Sequence, residues 1–231
     1  MAKRRYGQFC ALARALDKVG ERWSLLIVRE LLLGPQRYTD LLNALPGVGT
    51  NLLADRLKEL ERNGVVKRGS LPPPGSTAVY ELTAHGLELE AAVIALTRWG
   101  SRDLRPRRGE HFRPAWFGLA MRAAFRPEAA IGISEVYEFR IDEVVLHARI
   151  DDGELEVRQG GADEPDLIFT SDTRTLRKVL SAQLTLADAV SSDKARIEGD
   201  MSALGRCASL FGPLGTERGR PDDRPLEAIP T

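Results

Sequence analysis

The feature that most constrains this chain is the break Pro46-Gly47-Val48-Gly49 between two short stretches of helical periodicity, Tyr38 to Ala44 and Thr50 to Arg62. A turn of that composition lets two short helices cross steeply. In the second, Leu53, Leu57 and Leu60 form one inward stripe, so Thr50, Asn51, Ala54, Asp55 and Lys58 face outward, Arg56 lies near the boundary, and Gly64 closes the helix. Two helices precede this pair. Phe9, Leu12, Ala13, Leu16 and Val19 mark the first. The second runs from Arg22 to Leu33, is apolar around most of its circumference, and stops at Gly34-Pro35. After the pair come two extended runs, Val65 to Leu71 and Thr77 to Leu82, around Pro72-Pro73-Pro74-Gly75-Ser76, and then Thr83 as N-cap of a helix to Ser101. Helix, helix, turn, helix, hairpin, helix is the order of a winged helix-turn-helix domain, whose second motif helix enters the DNA major groove. The closing helix carries Leu87, Ala91, Ile94 and Leu96 on one side and Leu89, Ala92, Val93 and Trp99 around the rest. That is more apolar surface than one small domain covers, and a partner helix in a homodimer is the expected cover.

The 231 residues suit two domains, and the charges divide between them. Residues 1–110 hold 18 basic and 12 acidic residues and 111–231 hold 15 and 21, so a neutral total joins a half of +6 to a half of −6. A polyanion partner is expected for the first half only. We place a winged helix-turn-helix DNA-binding and dimerisation domain over 1–104, an Arg-rich linker over 105–113, an α+β domain over 114–211 and a disordered tail over 212–231. In the second domain an apolar helix, Pro114 to Phe125, leads to strands Val136 to Ile141, Val144 to Ile150 and Glu154 to Gln159, joined by Asp142-Glu143 and Asp151-Asp152-Gly153. A fourth strand (Asp166 to Thr170), helices Thr173 to Ala182 and Leu184 to Val190, a fifth strand (Ala195 to Glu198) and a helix capped by Asp200 follow. The fold class is α+β, an N-terminal winged helix-turn-helix domain followed by an antiparallel sheet with helices packed on it. No apolar run approaches membrane-spanning length, the start lacks a signal-peptide core, and Cys10 and Cys207 are the only cysteines, so a cytoplasmic protein without a disulfide framework or membrane partner is expected.

The run from Cys10 to Trp99, with GERWSLLIVRELLLGPQRY, LPGVGTNLLADRLKELERNGVVKR, YELTAHG and RWG, resembles the HxlR-type winged helix regulators of bacteria. The resemblance implies a homodimeric DNA-binding transcription regulator, in a family whose members often sense redox or electrophile stress or small metabolites. One departure is that the N-terminal cysteine, commonly followed by proline there, is followed here by Ala11. The second half resembles sterol-carrier-protein-like domains through its strand order, PDLIFTSD and IEGDMSAL. That resemblance implies an α+β domain able to enclose an apolar small-molecule ligand.

The candidate DNA contacts are Tyr38 and Thr39 at the start of the first motif helix, Thr50, Asn51, Asp55, Arg56 and Lys58 on the second, and Lys67, Arg68, Ser76 and Thr77 on the hairpin. Thr50 and Asn51 sit where a helix N-terminus favours phosphate. Asn pairs bidentately with adenine and Arg with guanine, while Lys58 suits a phosphate. Asp55 would orient an arginine, and Arg56 has the alternative of an internal acidic partner. Cys10, beside Lys3, Arg4 and Arg5, is a redox candidate. Trp116, Phe117, Met121, Arg122 and Phe125 are candidates to line the apolar ligand's pocket, with Arg122 and Arg126 one turn apart at its mouth. His85, His111 and His147 are far apart and no phosphate loop, nucleophile elbow or zinc spacing occurs, so neither an enzyme nor a metal or cofactor site is expected. The rival class is a lipid- or metabolite-binding protein whose N-terminal domain mainly dimerises.

Overall fold

A computed structural model of the protein describes residues 5–70, 77–104 and 109–212. The proline-rich hairpin tip with Ser76, Lys3 and Arg4, the linker stretch 105–108 and the tail from 213 lie outside the described residues. The chain divides into two compact units, Met1–Leu96 and Thr97–Thr231.

In the first unit, α1 (Ala11–Val19), α2 (Ser24–Leu32), α3 (Tyr38–Ala44) and α4 (Thr50–Arg62) precede a hairpin of β1 (Val66–Ser70) and β2 (Ala78–Leu82). Ile27, Val28 and Leu31 of α2 are buried with Leu41, Leu53, Leu57 and Leu60, which makes α2 the centre of this core. One member of that helix departs from its apolar pattern: Glu30 is fully buried and accepts from the Arg29 guanidinium at 2.6 Å. The hairpin is antiparallel with Val66 opposite Leu82, and Gln36 adds a bridge to Tyr80, each N–H donating to the other's carbonyl at 3.0 and 2.8 Å.

The helix expected from Thr83 is two helices, α5 (Ala84–Leu87) and α6 (Glu90–Gly100). Thr83 does cap it, accepting from the Gly86 N–H at 3.0 Å. Its hydroxyl also donates to the Gly64 carbonyl at 2.6 Å. These bonds seat α5 on the entry to β1 so closely that a Cβ on Gly86 would lie 2.1 Å from the Val65 carbonyl oxygen. The chain then turns at Glu88 and Leu89 before α6 begins.

In the second unit, α7 (Phe117–Ala124) leads into β3 (Ser134–Ile141), β4 (Val144–Asp151), β5 (Glu154–Gln159), β6 (Leu167–Ser171), α8 (Thr173–Leu180), α9 (Leu186–Ser191), β7 (Ala195–Gly199) and α10 (Met201–Leu210). The two hairpins close through Asp142-Glu143 and Asp152-Gly153, with positive φ at Asp142, Asp152 and Gly153, as tight two-residue turns require. Tyr137, Phe139, Ile141, Leu146, Ala148, Ile150, Val157, Leu167 and Phe169 supply one buried sheet face, covered by Phe117, Met121, Leu176, Leu204, Cys207 and Leu210 of the helices.

The sheet order is β5-β4-β3-β6-β7, and β3 pairs with β6 in parallel. The sheet is therefore mixed rather than antiparallel throughout. Residues 160–166 carry the chain from the edge strand β5 to the far side of β3. Glu138, on the opposite face of β3 from Tyr137 and Phe139, is buried under this crossing and accepts the Ala162 N–H at 2.8 Å. The Asp166 carboxylate accepts the Val136 N–H at 2.7 Å.

Candidate nucleic-acid interface

The candidate interface is built on α4. Gly47 takes φ +90, a conformation that favours glycine, and the turn delivers the chain to Gly49, which caps α4 with no side-chain bond. The first N–H groups of this 13-residue helix therefore point outward with no intrahelical acceptor. Leu53, Leu57 and Leu60 anchor its inner stripe, and Thr50, Asn51, Asp55, Lys58 and Arg62 are exposed on the opposite face. Tyr38 is half-buried, and its hydroxyl donates to the Thr50 carbonyl at 2.7 Å, so it fixes the start of α4 from α3. Thr39 beside it is exposed.

Arg56 lies at the edge of the leucine stripe and is tied down by acidic partners. Its guanidinium lies between Glu59 (2.9 Å) and Glu21 (3.0 Å), its Nε donates to the Arg22 carbonyl at 3.3 Å, and its side chain is 19% exposed. The acidic partner expected for this residue is present: it sits one helical step from the leucine stripe, where two carboxylates face it. Glu61, on the other side of that stripe, accepts from Arg68 of β1 at 2.9 Å, so ion pairs bracket α4 on both flanks. Arg68 also lies over the Tyr80 ring, and the bond it donates to Glu61 raises its pKa above the usual guanidinium value. Lys67 pairs with Glu81 at 3.1 Å. Both wing cations remain more than half exposed, Thr77 is half-buried, and Ser76 is outside the described residues. Sequence reasoning passed over Arg62, which completes the exposed series 51, 55, 58, 62; continuing that spacing by one step would have found it.

Cys10 is exposed at the N-cap of α1, while Cys207 is buried in the second unit, where burial pushes its thiol up to about 12. The five ligand-pocket candidates gather around α7 but do not share one environment. Phe117 and Met121 are buried in the sheet-facing core, Phe117 edge-on to Phe139 at 5.0 Å. Phe125 packs on Phe211 at 5.9 Å, Trp116 meets His111 and Phe112 edge-on, and Arg122 donates to the Val157 carbonyl at 2.8 Å. Arg126 has its guanidinium against Gly212. Among the described residues no three His, Cys, Asp or Glu side chains gather as metal ligands, and no described helix is long and apolar enough to cross a membrane.

A short cross-braced helix behind a glycine turn, with an exposed polar face and a hairpin at its flank, defines the DNA-reading unit of a helix-turn-helix transcription regulator. Residues 18–108 match the family model described as HxlR-like helix-turn-helix. The chain is 38% identical over 95 residues to the uncharacterized HTH-type transcriptional regulator sll1512 of Synechocystis sp., covering 41% of this chain and 70% of the relative. It is 35% identical over 92 residues to the HTH-type transcriptional regulator YodB of Bacillus subtilis, covering 40% of this chain and 82% of that protein. The solved reduced form of YodB aligns at 33% identity with a TM-score of 0.37, covering 41% of this chain and 94% of that one. The chain belongs to the HxlR-like helix-turn-helix family. Its residues 120–212 match the model of the SCP-2 sterol transfer family, so an SCP2-like domain follows the regulator unit.

Proposed function

We propose that this transcription regulator is a cytoplasmic homodimer that lays one α4 in the major groove at each half of a roughly palindromic operator, with the β1–β2 wing on the adjacent backbone. The observation that carries this reading is the exposed series Thr50, Asn51, Asp55, Lys58 and Arg62 opposite a buried leucine stripe. Asn51 reads a base, Thr50 and the open N–H groups of the first turn receive a phosphate, and Lys58, Lys67 and Arg68 follow the backbone. Two-fold symmetry is supported by apolar side chains left uncovered on α1 and α6. Phe9 (99% exposed), Leu12 (67%) and Leu16 lie on or beside α1; Leu96 (51%) and Trp99 (68%) lie on α6. Lys18 of α1 contacts His85 of α5 at 3.3 Å, which places the end of α1 beside the helix that leads into α6. Such surfaces mark association.

The SCP2-like unit takes an apolar small molecule that modulates DNA binding. The support is the family match together with a half-buried apolar rim, Leu180, Leu186, Val190 and Ile197, on its core.

Binding of the full chain to genomic fragments selected from its source tests the reading. Asn51→Ala is expected to relax sequence preference by about 1–3 kcal/mol, whereas Lys58→Ala weakens all sequences alike and flattens the salt dependence. Equal losses on selected and random DNA from both variants would remove Asn51 from the reading face.

A further inference from the structure

We propose that Arg22, in the link between α1 and α2, is a DNA-backbone contact on the flank of α4 opposite the wing, held for that task by Trp23. The proposal rests on the reading of α4 as the groove helix. A helix about 10–12 Å across in a groove about 12 Å wide has the two phosphate ridges against its flanks. Whatever brackets α4 therefore lies over DNA backbone. One bracket is the wing, through Glu61 and Arg68; the other is the segment Glu21–Trp23, through Arg56, which bonds both the Glu21 carboxylate and the Arg22 carbonyl.

On that second flank the charges are unequal in availability. Arg56 is shared by two carboxylates, Glu21 and Glu59, so it is committed within the protein and that cluster keeps one negative charge. Arg22 is exposed, and among the described residues no carboxylate pairs with it. Its guanidinium lies 5.3 Å from the Trp23 ring centroid, a stacked arrangement that orients the cation while leaving its N–H groups open to an anion.

The backbone at this point is unusual. Trp23 has φ +79, a left-handed conformation that a bulky aromatic residue rarely adopts. The same indole packs against the turn before α4, where a Cβ on Gly47 would lie 3.8 Å from it. Strain of this kind persists where the surroundings over-determine it, and it clusters at functional positions. Here it aims the Arg22–Trp23 pair beside the turn that delivers the reading helix. Sequence periodicity, which starts the second helix at Arg22, does not show this: α2 begins at Ser24 and Arg22 lies in the link before it.

The test uses the full chain and a short random-sequence duplex, since a phosphate contact needs no operator. The slope of log affinity against log salt is measured for wild type, Arg22→Ala, Arg22→Lys and Lys58→Ala. Arg22→Ala is expected to lower the slope by about one per protomer with an unchanged thermal midpoint, and Arg22→Lys to keep the wild-type slope. If Lys58→Ala flattens the slope and Arg22→Ala leaves it unchanged, the assignment of Arg22 is overturned while the groove reading stands. If neither variant changes it, the groove reading falls and the proposal falls with it.

Discussion

Replacing Arg56 by alanine separates a structural cation from a DNA-reading one. The pair with Glu21 is exposed on the carboxylate side, 57%, and after screening contributes about 0.2–1 kcal/mol. The pair with Glu59 joins two side chains at 19% and 14% exposure, and a charge-assisted bond in that setting contributes about 1.5–3 kcal/mol. The bond to the Arg22 carbonyl, at 3.3 Å, adds little. Arg56→Ala is thus expected to destabilise the N-terminal unit by about 2–4 kcal/mol. For a unit of this size each kcal/mol moves the midpoint by about 4–8 °C, so the shift is on the order of 10 °C. Thermal and urea unfolding followed by circular dichroism measure it, and Glu21→Gln should reproduce only the smaller share. Below its own transition the variant should keep the wild-type slope of log affinity against log salt. A variant with unchanged stability and a slope lower by about one per protomer would show that Arg56 holds a phosphate and that the internal assignment is wrong.

Three further outcomes are expected. A charge in the uncovered apolar surface, Leu12→Glu or Leu96→Glu, is expected to leave the fold intact because both side chains are exposed, and to convert the proposed dimer to monomers in sedimentation equilibrium; a folded dimer in both variants would move the interface elsewhere. At mildly alkaline pH a thiol reagent labels Cys10 in the native protein and reaches Cys207 only on unfolding. Because the folded Cys207 pKa is raised from 9.0 to about 12, its contribution to stability is complete below about 9 and is lost as pH rises toward 12, a loss that Cys207→Ala reduces in alkaline unfolding curves. Asp200 has the opposite sign: bonds from Ser202 and Arg206 hold its carboxyl at about 2, so its contribution is present above about 4, falls away toward pH 2, and is absent in Asp200→Asn.

The parts of this molecule legible in its sequence are those encoded by neighbours along the chain. Leu53, Leu57 and Leu60 placed the inner face of α4, and Pro46 to Gly49 placed its start. Asp142-Glu143 and Asp152-Gly153 placed two hairpins whose strands match the alternation of Tyr137, Phe139 and Ile141. What stayed hidden depends on partners distant in sequence. Alternation reports which face of a strand is buried but carries no sign of strand direction, so the parallel pairing of β3 with β6 was not visible. The turn at Glu88 and Leu89 that divides α5 from α6 and the close approach of Val65 to Gly86 inside α5 were not visible either, and Gln36 reached Tyr80 from a stretch without strand pattern. In the candidate site, the exposure of Asn51 and Lys58 followed from periodicity. The commitment of Arg56 needed Glu21 brought to it by the fold, and the orientation of Arg22 needed a backbone conformation that composition does not announce.

The double allegiance of β3 also sets an order in time. Its bonds to β4, and those of β4 to β5, close through two-residue turns, so this meander forms from encounters between residues that are never far apart. Its bond to β6 joins Tyr137 to Leu167 and cannot form until the crossing segment has been wrapped across the sheet, with the entropy of that longer loop already lost. The second unit is therefore expected to assemble from one edge toward the other, with β3, β4 and β5 pairing before β6 and β7 join. Hydrogen exchange would check this order: backbone amides of the edge strand β7 are expected to exchange with solvent before those at the β3–β4 seam.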